Sequence, residues 1–136
     1  MPIGLYVTFA KHAEASLAEP TLRTIKVAQP RGRPKTRPKE LVADKAYDSR
    51  QLRQRLRRRG IKSCIPTFDR RRRKKTKPGR PIRVGSSYRE RWKVERCFGW
   101  MDNCPRLVVR YERHLYIYRS FCLLALILWS INRILK

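Results

Sequence analysis

Two carboxylates, Asp44 and Glu95, stand where residue type and spacing could do chemistry. Asp44 closes the short apolar run LVAD (41–44), and a carboxylate at the C-terminal end of a strand in an α/β sheet points into the crevice where such sheets bind ligands. Glu95 comes 51 positions later in a stretch with helical spacing, far enough along for the fold to return it to the same place. Oxygen donors of this kind suit Mg²⁺ or Mn²⁺. A pair of such ions can activate a water or a 3′-hydroxyl and stabilise the leaving oxygen in phosphodiester chemistry. Positive surroundings keep both carboxylates ionised. A lone Asp ending a strand is more often a turn or cap residue, so the elements around the pair must carry the argument.

Residues 3–10 (IGLYVTFA) mix β-branched and aromatic residues and predict a buried strand. Glu19 to Val27 reads as a short helix with Pro20 in its first turn. From Gln29 to Lys39, basic residues alternate with Pro30, Pro34 and Pro38 in an extended, charged connection. The run LVADKAYDS (41–49) then gives a strand ending at Asp44, and Asp48 with Gln51 three residues on resembles a capping box. The helix so started should run to Gly60. Its apolar stripe is Leu52 and Leu56, and arginines at 50, 53, 55, 57, 58 and 59 make the rest a cationic surface. KSCIP (62–66) reads as a neighbouring strand, and the strand, helix, strand order predicts an α/β layer.

Residues 69–83 carry RRRRKKTKPGR without apolar periodicity. This basic loop reads either as a solvated, disordered tract or, through Arg70, Arg71, Arg72 and Arg73, as a phosphate clamp whose binding weakens with salt. Ser86 or Ser87 can cap a helix running to about Asn103, on which Val94, Phe98 and Met101 form an apolar stripe and Tyr88, Arg91 and Glu95 an adjacent face. Pro105 closes that helix. A second one, Leu115 to Leu135, is apolar nearly all round and belongs in a core. Trp92, Phe98, Trp100 and Trp129 fall within these helical patterns and read as core residues.

The 35 lysines and arginines against 10 acidic residues give the 136-residue chain a formal charge of +25. That charge strains any compact state unless a polyanion offsets it, and nucleic acid is the first to consider. Anionic membranes and acidic proteins would also attract it. The apolar stretch from Ser120 to Ile131 is shorter than the roughly 18 residues that span a bilayer, and residues 1–10 lack the form of a secretion signal. Cys64, Cys97, Cys104 and Cys122 show no zinc-site spacing and read as reduced core residues. His12 and His114 have no partners at metal-ligand spacing, and Asp48 suits a helix cap better than a metal.

At this point LVADKAYDS and YRERWKVERCFGW (88–100) together resemble the DDE transposases of bacterial insertion sequences, of the type marked by a Tyr-Arg-Glu-Lys signature. In that signature an Arg follows the Tyr by three residues, a Glu comes four further and a Lys seven later. Tyr88, Arg91 and Glu95 fit, and Asp102 stands at the last position, with Arg106 or Arg110 as substitutes for the Lys contact. The likeness extends through GLYVTFAKHAE (4–14), RRGIKSCIP (58–66) and RLVVRYER (106–113), nearly the whole chain.

The resemblance implies an α/β, ribonuclease H-like transposase catalytic fold, incomplete at its N-terminus. Residues 1–136 would be the C-terminal portion of the catalytic domain, with a basic linker at 28–39 and a basic loop at 69–83. It implies DNA transposition by metal-dependent cleavage and strand transfer, with Asp44 and Glu95 as catalytic residues and ligands of Mg²⁺ or Mn²⁺, and Tyr88 and Arg91 as DNA contacts. The family's first catalytic Asp would fall before Met1, so the chain is expected to be a truncated or second-frame fragment holding two of three metal ligands. A non-catalytic DNA-binding remnant is the alternative. Expected partners are double-stranded DNA, as element ends and target, and further copies of the chain assembled on it, with no membrane. The expected location is the bacterial cytoplasm at the nucleoid.

Overall fold

The computed structural model of the chain describes residues 2–67 and 84–135. Its centre is a strand, helix, strand unit. Strand β1 (Glu40–Val42) and strand β2 (Lys62–Cys64) pair in parallel with Glu40 opposite Lys62 and Val42 opposite Cys64. Helix α2 (Arg50–Arg58) makes the crossover between them, as parallel pairing requires. Leucine, arginine and glutamine are good helix formers, and Leu52 and Leu56, one turn apart, are both buried. The helix ends in a Schellman arrangement. Gly60 adopts φ +65°, its N–H donates to the Arg57 carbonyl at 2.9 Å, and the Ile61 N–H donates to the Leu56 carbonyl at 2.9 Å.

Helix α1 (Glu14–Arg23) covers this unit. Its Ala18 and Leu22 join Leu52, Leu56, Ile61 and Ile65 in the core, with Leu41, Ala43 and Tyr47 packed alongside. The start of α2 departs from the capping box predicted for Asp48 and Gln51. Ser49 occupies the cap without a side-chain bond. Asp48 instead accepts from Arg53 Nε at 2.9 Å, and the same guanidinium donates to the Ile65 carbonyl at 2.8 Å, tying the entry of α2 to the exit of β2.

The remaining elements follow the basic stretch. Residues Ser86–Arg91 form a 3₁₀ turn leading into helix α3 (Trp92–Met101), then a single turn, α4 (Pro105–Val108), and helix α5 (Leu115–Ile134). Pro105 is the first residue of α4 rather than a mere stop, a position where a missing N–H costs nothing. The Tyr118 hydroxyl donates to the Leu107 carbonyl at 3.0 Å and fixes α5 on α4. All four cysteines are free thiols; Cys64 and Cys122 are buried, Cys97 and Cys104 half-buried.

Several expectations are corrected. Residues 3–10 form no strand; Ile3, Tyr6 and Phe9 are exposed, a spacing of three rather than two. β-propensity expresses itself only where a neighbouring strand supplies a ladder, and among the described residues none pairs with this segment. The first helix begins at Glu14, not Glu19, so that Pro20 lies inside it; packing of Ala18 and Leu22 outweighs the hydrogen bond that proline removes. Between Gln29 and Lys39 the chain doubles back, with Gly32 at φ +90° and Val27 bridged to Lys35.

The apolar helices are less buried than their composition predicts. Val94, Trp92 and Phe98 of α3 are exposed. In α5 only Cys122 and Ala125 are fully buried, while Leu123, Leu124, Ile127, Leu128, Ile131 and Ile134 face outward. Trp100 and Trp129 do meet across α3 and α5, ring centroids 5.6 Å apart. At 20 residues, α5 is by length and composition long enough and apolar enough to cross a membrane.

Candidate active site

Asp44 sits two residues beyond β1 and begins the short 3₁₀ turn Lys45–Tyr47. Its two carboxylate oxygens have separate tasks. Oδ1 accepts the Lys45 N–H at 2.6 Å, which caps the turn, and Oδ2 faces Arg91 Nη1 at 3.0 Å. Capping thus engages one oxygen of Asp44 and leaves the other turned to Arg91.

Arg91 is the hub. Besides Asp44 it binds Glu95 through Nη2 at 2.7 Å, one helical turn along, and donates through Nη1 to the Tyr88 hydroxyl at 3.3 Å. Its guanidinium carbon lies 5.8 Å from the centre of the Tyr88 ring. A planar fork with several donors can bridge two carboxylates in this way, which a lysine ammonium does less well. The structure thus brings together all four residues singled out from the two motifs: Asp44, Tyr88, Arg91 and Glu95.

The cluster lies open to solvent. Side-chain exposure is 33% for Arg91, 46% for Asp44 and 61% for Glu95. Ion pairs this exposed are screened by solvent and add little to stability, so the arrangement is poorly explained as a stabilising device. The Asp44 carboxyl is held below the ordinary aspartate range first by the Lys45 N–H and further by the Arg91 guanidinium. Arg91 is pushed up, chiefly by its bond to Glu95.

A depressed carboxyl contributes stability above its unfolded value and loses it as pH falls through the folded one. For Asp44 that window lies below about 3.8. In Arg91→Ala, the Asp44 carboxyl followed by NMR is expected to titrate higher than in the wild type, yet still below the unfolded value, because the Lys45 N–H remains. A midpoint that did not move would show that Arg91 makes no contact with Asp44 in solution.

Other predicted residues lie elsewhere. Arg106 approaches Glu112 at 3.7 Å and sits over the Phe121 ring, and Arg110 sits over Phe9 and Tyr118. These partners, Glu112, Phe121, Phe9 and Tyr118, are all distinct from the Arg91 cluster. Asp102 and His12 line an apolar cleft of about 450 Å³ between residues 5–10, α3 and α5. His114 stacks on Tyr116 with ring centroids 5.4 Å apart. Arg70, Arg71, Arg72 and Arg73 lie outside the described residues. Ser87 does not cap a helix; its hydroxyl donates to Glu40 Oε2 at 2.7 Å. Glu40 is a residue that sequence reasoning passed over.

Among the described residues no group of three or more His, Cys, Asp or Glu is placed to hold a metal. Asp44 and Glu95 nevertheless converge on one cation, the Arg91 guanidinium, and offer it only oxygen. That donor chemistry fits a hard divalent ion. Comparison with known families then decides the class: the transposase DDE domain matches residues 1–130. The chain belongs to the DDE transposase family.

A putative transposase for insertion sequence element IS402 from Burkholderia cepacia is 36% identical over 105 residues, 76% of this chain and 44% of that protein. The chain therefore spans less than half the length of this relative. No solved structure matches it. Membership of the DDE transposases implies a ribonuclease H-like fold, and the mixed parallel strands and helices agree with that class. The family also generally uses divalent metal ions.

Proposed function

We propose that this chain is the C-terminal part of the catalytic domain of an insertion-sequence transposase of the Tyr-Arg-Glu-Lys type, acting on double-stranded DNA at element ends and target. The observation that carries the reading is the convergence of Asp44, Tyr88, Arg91 and Glu95, from motifs far apart in the chain, on one solvent-open cluster. Asp44 and Glu95 are its catalytic carboxylates and would hold Mg²⁺ or Mn²⁺. When bound, the ion supplies activation of a water or 3′-hydroxyl and stabilisation of the leaving oxygen.

The chain's own residues do the rest. Asp44 stays ionised because the Lys45 N–H and Arg91 favour its charged form. Arg91 presents a fork suited to phosphate oxygens, and the Tyr88 hydroxyl beside it can donate to the same backbone. Arg70 to Arg73 extend the phosphate contacts. Further copies of the chain assemble on the DNA, and the site of action is the bacterial nucleoid. Support for seating α5 against protein rather than lipid comes from Arg119 and Arg133 within it and from its contacts with α3 and α4.

One observation favours a second reading. Two carboxylates, not three, meet among the described residues, which suits a remnant that binds DNA without cutting it. Duplexes carrying the element's ends, incubated with the chain and Mg²⁺, discriminate the two. Nicking that EDTA abolishes supports the enzyme. Binding whose logarithm falls linearly with that of salt, by about 0.9 per phosphate contacted, without any nicking supports the remnant. Absence of both outcomes would sink the DNA reading altogether.

A further inference from the structure

The Asp44–Arg91 pair is not the only tie between β1 and the 86–91 turn. The Ser87 hydroxyl donates to Glu40 Oε2 at 2.7 Å across a separation of 47 residues, and Asp44 and Arg91 are separated by the same number. Glu40 and Asp44 lie four apart on one segment, and Ser87 and Arg91 lie four apart on the other. Two segments are thus fastened at both ends in matched register, as a clasp.

The Glu40 end is built in more depth than a chance surface contact. The Glu40 side chain is 21% exposed, and Lys62 Nζ from the paired strand lies 3.4 Å from its Oε1. That approach is an ion pair rather than an aimed hydrogen bond, since Oε1 is buried with no hydrogen-bond partner among the described residues. The Ser87 hydroxyl, then Lys62, hold the Glu40 carboxyl below its ordinary range. Next to it the Cys64 thiol donates to the Gly85 carbonyl at 3.8 Å. A Cβ on Gly85 would lie 3.6 Å from Cys64 Sγ and 3.7 Å from Glu40 Oε1, so the backbone at 85 rests directly on the sheet. Both strands grip the entry of the turn.

The geometry points to Glu40 and Ser87 as positioning residues of the active site: their bond sets where the 86–91 turn docks on β1 and hence where Arg91 and Glu95 stand relative to Asp44. This rests on the active-site reading above. Without the Glu40 end, the turn is held to β1 through the exposed Asp44–Arg91 pair, which any metal or phosphate arriving at the site perturbs. With it, the turn stays docked while Arg91 exchanges partners.

The test combines metal binding with amide exchange. Ser87→Ala and Glu40→Ala are each expected to weaken Mn²⁺ binding, followed by electron paramagnetic resonance, by about tenfold. Ser87→Thr, which keeps the hydroxyl, restores it, and the double replacement is no worse than either single one. Amide exchange speeds over residues 86–91 in Ser87→Ala and is unchanged over α2. Additive losses in the cycle, or unchanged exchange over 86–91, overturn the clasp. If the wild type takes up Mn²⁺ no better than Asp44→Asn/Glu95→Gln, the metal reading fails and exchange alone decides: faster exchange upholds the clasp, unchanged exchange removes it.

Discussion

Asp44→Asn and Glu95→Gln are each expected to lower Mg²⁺-dependent nicking by about a thousandfold. Both replacements keep size and hydrogen-bonding shape and remove one negative charge. Charge stabilisation by a metal in the transition state amounts to several kcal/mol, and each factor of ten in rate corresponds to about 1.4 kcal/mol. Loss of a ligand should therefore reduce the rate far more than it reduces DNA binding. Binding itself should stay level or tighten slightly, because each replacement removes a charge that repels phosphate and releases one arm of the Arg91 fork. Nicking rates and gel-shift affinities on the same preparations separate the two effects. Cutting that survives both replacements would place the chemistry elsewhere in the chain.

The second large effect concerns folding. Leu56→Ala is expected to destabilise the chain by about 2–5 kcal/mol, read as a fall in the urea midpoint. Leu56 is 1% exposed and belongs, among the described residues, to a cluster of six buried side chains contributed by α1, α2 and the flanks of β2. Whole domains are stable by only about 5–15 kcal/mol, so the variant should lose a large share of its stability. The replacement also loosens α2 from the strands whose ends present Asp44 and Glu40. A midpoint shift below about 0.5 kcal/mol, typical of surface sites, would show that the packing around Leu56 is not as described.

The strand, helix, strand unit was legible because its signals are local. Leu52 and Leu56 at helical spacing, Gly60 at the stop and short apolar runs on either side each act within a few residues. Asp44 and the Tyr88, Arg91, Glu95 face were legible for the same reason. Residues 3–10 were misread because strand formation depends on a partner that composition does not reveal. The first helix was placed too late because Pro20 was weighed as a start signal, whereas burial of Ala18 and Leu22 governs.

What stayed hidden in the site is long-range. Nothing in the neighbourhood of Glu40 marks it out, since its significance is a bond to a residue 47 positions away. Ser87 carried a local signal for capping that the fold overrides. For α5, periodicity gives the helix but not its cover. The stripe that packs, Tyr118, Cys122, Ala125 and Trp129, is narrower than the apolar surface around it.

The parallel pairing of β1 with β2 also orders the assembly of the molecule in time. Bringing Glu40 against Lys62 closes a loop of about twenty residues, much of it helix, whereas both ties of the clasp close one about twice as long. Short closures cost less chain entropy, so the sheet is expected to precede the docking of the turn bearing Arg91. Yet doubling a flexible loop adds only about 0.6 kcal/mol to closure. Closing the longer loop of the clasp therefore costs little more than closing the sheet.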